Sequence, residues 1–181
     1  MEKKIVFVSL FAALIAVLGL APKVMLASGV PITAQSMGIM LCGTVLGAKR
    51  GALAVLLFIT LTALGLPLLS GGRGGLGVFA SPSVGFIVGF PLAAFVAGWI
   101  TSKLRLINVF YSSLLGALVG GILILYIPGI VGMSIMLDKS ISEAALIALI
   151  YLPGDCIKAF LCAILTHTLF KLRPENVLSR I

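Results

Sequence analysis

Asp155 and Lys158 are the side chains in this sequence best placed to do chemistry, standing three residues apart in PGDCIK (153–158) within an otherwise apolar segment. At that spacing a carboxylate and an ammonium share one helical face and can pair, with Cys162 one turn further along. Ionisable groups at membrane depth are costly, so they face a bundle interior or a water-filled cavity. Such a pair offers three things: hydrogen bonds to a polar ligand, acid–base transfer, or an internal ion pair that only holds helices together. Pro153 has no amide proton and is expected to kink or start the helix, which leaves Asp155 near a helix N-terminus, where a carboxylate is favoured.

The remaining motifs exclude more than they offer. Gly72, Gly74 and Gly77 form a lone GxGxxG, but a dinucleotide fold needs a strand before it and an acid about 20 residues after it. Between Glu2 and Asp138 the chain has no acid at all. The segment reads instead as an outer loop whose backbone and one cation, Arg73, are available to close over a ligand. His167 is the sole histidine, there is no HExxH, and Cys42, Cys156 and Cys162 form no CxxC, so no metal site is expected. No GxxxxGK[ST] is present, so ATP dependence would have to come from partners. No cofactor is expected.

The elements that position these residues follow from composition. Of 181 residues, 61% are apolar and only 10% charged, against about a quarter charged in a soluble domain. The chain therefore belongs in lipid. Its apolar runs are too continuous for a barrel, whose strands alternate faces. A bilayer core needs about 20 apolar residues per helix. Trimming the runs at Gly and Pro predicts helices over 4–22, 33–48, 51–66, 82–102, 108–127 and 144–171. The expected fold is an all-α, six-transmembrane-helix bundle, one integral-membrane domain over 1–181.

With six spans both termini share a side. One side carries Lys3, Lys4, Lys49, Arg50, Lys103, Arg105, Lys171, Arg173 and Arg180; the other carries Lys23, Arg73 and Lys139. By the positive-inside rule both termini are cytoplasmic, in a multi-pass protein of the cell membrane. The net charge of +8 thus marks membrane boundaries and is no footprint of nucleic acid. Long outward loops follow helices 1, 3 and 5 (22–32, 67–81 and 128–142). Counting back from Lys171 puts Lys158 about 20 Å up its helix, beneath those loops.

Small residues at four-residue spacing (Ala12 and Ala16, Gly43 and Gly47, Gly85 and Gly89, Gly116 and Gly120) let helices approach closely. On helix 1, Ser9, Ala12, Ala13 and Ala16 form a smooth strip, read as turned outward toward a membrane partner.

VPITAQ (30–35), GLPLLSGGRGGLGVFASPSVGFIVGF (65–90) and PGDCIK (153–158) together resemble the BioY family, the biotin-specific substrate-binding (S) components of energy-coupling factor (ECF) transporters. The family more often reads PITLQ and GPTGG, where this chain has PITAQ and SPSVG. The resemblance implies biotin uptake, binding without catalysis, and partners: a transmembrane coupling (T) component, docked through a small-residue strip on the first helix, and two cytoplasmic ATPases. In that setting Asp155 would accept a ureido N–H and Lys158 donate to the carbonyl or carboxylate. Arg73 would cap the carboxylate, Gln35 would do either amide job, and Phe79, Phe86 and Tyr151 would wall the ring and tail. The alternatives are an S component for riboflavin or thiamine, or an intramembrane enzyme using Asp155 and Lys158.

Overall fold

The helix Val84–Lys103 turns a row of large apolar side chains outward and a row of small residues inward. Along Val84–Lys103 the exposed residues Val88, Leu92, Phe95 and Trp99 recur at helical spacing, while Gly85, Gly89, Ala93, Ala97 and Gly98 are buried. That is how a helix packs in lipid, where close backbone contact, and not transfer of bulky side chains from water, drives association.

The computed structural model describes residues 2–181, with side chains from Ile5 onward. Its elements are α1 (Glu2–Leu18), a short ribbon β1 (Val24–Met25) and β2 (Pro31–Ile32), α2 (Gln35–Leu46), α3 (Ala48–Ala63), a 3-10 turn (Leu76–Ala80) and α4 (Val84–Lys103). Then come α5 (Val109–Leu137) and α6 (Ile141–Leu172), followed by two 3-10 turns in the tail. Among the described residues three helices, α4, α5 and α6, are long and apolar enough to cross a membrane. The all-α expectation needs one amendment: β1 and β2 pair antiparallel, Val24 with Ile32, inside the first long loop.

The largest departure is at Pro128, where a loop running to Ser142 was expected and the helix instead continues to Leu137. Pro128 has no N–H for the carbonyl one turn back, but a π-helical stretch, Val119–Ile124, lies just before it and has already re-phased the ladder. Packing then holds the continuous helix. Gly85 of α4 leaves no room for a Cβ against the Pro128 carbonyl and Gly132, and Gly129 lies under the Phe86 ring. The connection that remains is short, with Asp138 in the left-handed conformation (φ 51°) closing α5 and Ser140 and Glu143 forming a capping box on α6.

Pro153 acts as the sequence reading expects. α6 runs helical from Ile141 to Ala148, tightens to a 3-10 turn at Leu149–Tyr151, and resumes at Leu152 with proline in its first turn. Thr44, near the end of α2, bonds Thr166 (2.9 Å) and Cys162 (3.4 Å), tying α2 to α6. The tail folds back across one end: Ser179 donates to the Thr44 carbonyl, and Arg180 donates to the Leu104 carbonyl (3.0 Å) and to Ser112. Burial, and secondarily the charge of Arg105, lowers the Arg180 pKa.

Ala12 corrects the reading of α1. It is 4% exposed and part of the core, because Phe11, Ala12 and Ile15 form the face turned into the bundle. The small residues that remain on the surface of α1 are Ser9 and Ala13, with Ala16 half-buried.

Candidate functional site

Asp155 sits at the start of the resumed helix in α6, buried to 6% exposure, and its two oxygens are served from three directions. Lys158 donates to Oδ1 at 2.9 Å from one turn along the same helix. Ser36, in the first turn of α2, donates to Oδ1 at 3.2 Å and accepts from Lys158 Nζ at 3.0 Å. Tyr126 of α5 donates to Oδ2 at 2.8 Å. A carboxylate oxygen has two lone pairs and an ammonium three donors, so one acceptor position on Oδ2 and one N–H on Lys158 remain unspent.

Asp155, Lys158 and Ser36 form one wall of a cavity that opens to the outside of the bundle. Val30, Leu69, Ile87, Phe90 and Leu125 make the apolar lining. Phe86 stands edge-on between Tyr126 and Tyr151, with ring centroids 6.1 and 6.2 Å away. Tyr151 donates to the Val30 carbonyl (3.1 Å) and bonds Ser28 (2.6 Å), so the 3-10 turn of α6 moors the first loop. Arg73 lines the cavity from the second loop, where it makes an isolated bridge with Leu69 and its Nε donates to the Ser70 carbonyl at 3.3 Å. The two loops also interlock, since the Lys23 side chain lies over Gly71, a residue with φ +82°.

Asp155, Lys158, Arg73, Gln35, Phe86 and Tyr151 therefore share this cavity, and Phe79 does not. The 3-10 turn Leu76–Ala80 carries Phe79 away from the lining to pack against the core. Gln35 has both N–H groups committed to protein, since Nε2 donates to the carbonyls of Ile15 (3.2 Å) and Leu68 (3.0 Å), while Oε1 accepts from Ser70 N (3.0 Å) and keeps one acceptor position. At 3% exposure it braces the second loop onto α1. Ser36, Tyr126, Ser70 and Ser83 escaped the sequence reading. The signals for them were the position of Ser36 directly after VPITAQ and of Ser70 and Ser83 within the 65–90 motif, while Tyr126 had none. His167 lies elsewhere, with its ring edge-on to Phe110. Among the described residues no group of three or more His, Cys, Asp or Glu is disposed to hold a metal.

The model of the BioY family matches residues 2–175. The chain belongs to the BioY family. Among BioY relatives, the biotin transporter of Rhodobacter capsulatus is 45% identical over 189 residues, covering 99% of this chain and all of the relative. The biotin transporter of Rhizobium etli is 46% identical over 171 residues, covering 90% of each. In three dimensions this BioY chain is similar to the crystal structure of an S-component for biotin from an ECF-type ABC transporter. The TM-score is 0.88 at 31% identity, over 94% of this chain and 92% of that one.

Proposed function

We propose that this chain binds biotin in the cavity between α2, α4, α5 and α6 and serves as the S component for its uptake across the cell membrane. The observation that carries the reading is the buried Asp155–Lys158 pair, which keeps one acceptor and one donor unspent and lines a cavity whose other walls include Val30, Leu69, Phe86, Phe90 and Leu125. Biotin presents the complement: adjacent ureido N–H and C=O groups, a thiophane ring and aliphatic tail, and a carboxylate. Asp155 accepts a ureido N–H, Lys158 donates to the ureido carbonyl, and Phe86, Phe90 and Leu125 enclose the apolar part. The carboxylate goes toward Arg73, because beside Asp155 it would meet a like charge. The ligand leaves unchanged and the protein is not an enzyme.

In the same reading α1 to α6 are six spans with both termini cytoplasmic. The nine-to-three distribution of Lys and Arg supports this orientation. The loops around the cavity then face outward. Energy comes from a T component and two ATPases, as the resemblance to the ECF-type S-component suggests.

The test is titration of the purified protein with biotin, riboflavin and thiamine. Biotin alone should bind tightly. Asp155→Asn or Lys158→Met should cripple binding, and either costs about 3–5 kcal/mol of stability by leaving a buried charge alone. The double variant removes both charges and keeps the fold. Wild-type affinity in a well-folded double variant excludes this site, and tight riboflavin or thiamine binding reassigns the vitamin.

A further inference from the structure

Ser70 is a residue whose backbone is held from both sides while its side chain is left with nothing to do. Its N–H donates to Gln35 Oε1 at 3.0 Å and its carbonyl accepts from Arg73 Nε at 3.3 Å. The residue is 1% exposed and lines the cavity, yet its hydroxyl is buried without a hydrogen-bond partner. A buried hydroxyl left unsatisfied destabilises the protein that carries it, and natural structures contain few of them. Arg73, three residues on, spends only its Nε locally, so its terminal guanidinium nitrogens also remain uncommitted.

The cavity thus has two polar ends divided by the first turn of α2. Ser36 belongs to the end with Asp155 and Lys158, and Gln35, the residue before it, braces the end with Ser70 and Arg73. The first end holds a carboxylate beside its ammonium; the second holds no carboxylate and offers a hydroxyl, which can donate, and the uncommitted end of a guanidinium. We infer that the Ser70 hydroxyl, set beside Arg73, donates to the ligand's carboxylate and so makes the site select a free acid over its amide or ester. This rests on the biotin reading above and adds to it a specificity residue. A hydroxyl donor with an adjacent guanidinium fits an anionic, planar, two-oxygen acceptor, and a neutral carboxamide forfeits the charge-assisted part of both bonds.

The experiment compares wild type with Ser70→Ala, measuring binding of biotin, biotinamide and biotin methyl ester together with thermal unfolding of the ligand-free protein. Removing a hydroxyl that has no partner should leave the ligand-free unfolding temperature equal to or above wild type. Biotin affinity should fall about 10- to 100-fold, the range for a hydrogen bond to a charged group, while biotinamide and ester affinities change less than threefold. Ser70→Thr, which keeps the hydroxyl, should retain the preference for the acid. Equal losses for all three ligands, or a lowered ligand-free unfolding temperature, would show that Ser70 supports the loop only and would overturn the inference. Unchanged biotin affinity in Ser70→Ala overturns it too. Failure of the wild-type protein to bind biotin at all is a different result, one that removes the biotin reading itself.

Discussion

At the scale of single residues, Asp155 depends on neighbours contributed by other helices. Tyr126 supplies the one bond to Oδ2, across a sequence separation of 29 residues. Tyr126→Phe keeps the ring against Phe86 and deletes only the donor. It should lower stability by about 1.5–3 kcal/mol, the worth of a hydrogen bond to a charge, and weaken biotin binding by letting the carboxylate turn from its set position. Thermal unfolding in detergent and equilibrium binding check both, and wild-type values in each would show that Lys158 and Ser36 hold Asp155 unaided. The sequence exposes Asp155 and Lys158 because a charge in an apolar run is conspicuous. Ser36, Ser70 and Tyr126 are ordinary residues in such a run, and their importance comes from partners tens to more than a hundred positions away. Gln35 shows the converse: an amide reads as a ligand group able to donate or accept, until both its N–H groups are seen to be bonded to protein.

At the scale of elements, the helices were legible because hydropathy and charge alone delimit them. Helix ends that depend on packing were not. Proline reads as a stop at 128, and only the π-helical stretch before it and the glycines facing α4 explain why α5 passes through. The inward side of α1 was equally hidden, since a helix apolar on all faces does not announce which alanine is buried. With Ala12 in the core, the surface available to a membrane partner on α1 is Ser9 and Ala13, edged by Ala16. Ala13→Trp should leave biotin binding near wild type and abolish copurification with the T component, because a bulky ring keeps two helix backbones apart. Ala12→Trp should cost folded protein instead. Intact complex formation in Ala13→Trp would move the docking surface off this strip.

At the scale of the whole molecule, the long loops gather around the mouth of the cavity and most of the Lys and Arg gather at the opposite end. Cysteine introduced at Gly77, where a Cβ meets nothing, should react with an impermeant thiol reagent added to intact cells. Cysteine at Arg173, whose side chain is 72% exposed, should react only after the membrane is opened. Cys156 is replaced beforehand as the exposed native thiol, while Cys42 and Cys162 are buried. Labelling at Arg173 in intact cells reverses the orientation. The glycine seam between α4 and α5 also has a mechanical meaning. Where Gly85 meets Gly132 and Pro128, backbone rests on backbone, and close-packed main chain has no side-chain rotamers through which to yield. The wall that carries Phe86, Phe90 and Leu125 is the stiff side of the box. The opposite side is fastened by a few polar ties, those of Gln35 and Tyr151, each of which can break and re-form singly. Compliance is therefore distributed unevenly around the cavity, with one wall set by packed backbone and the other by hydrogen bonds that can open one at a time.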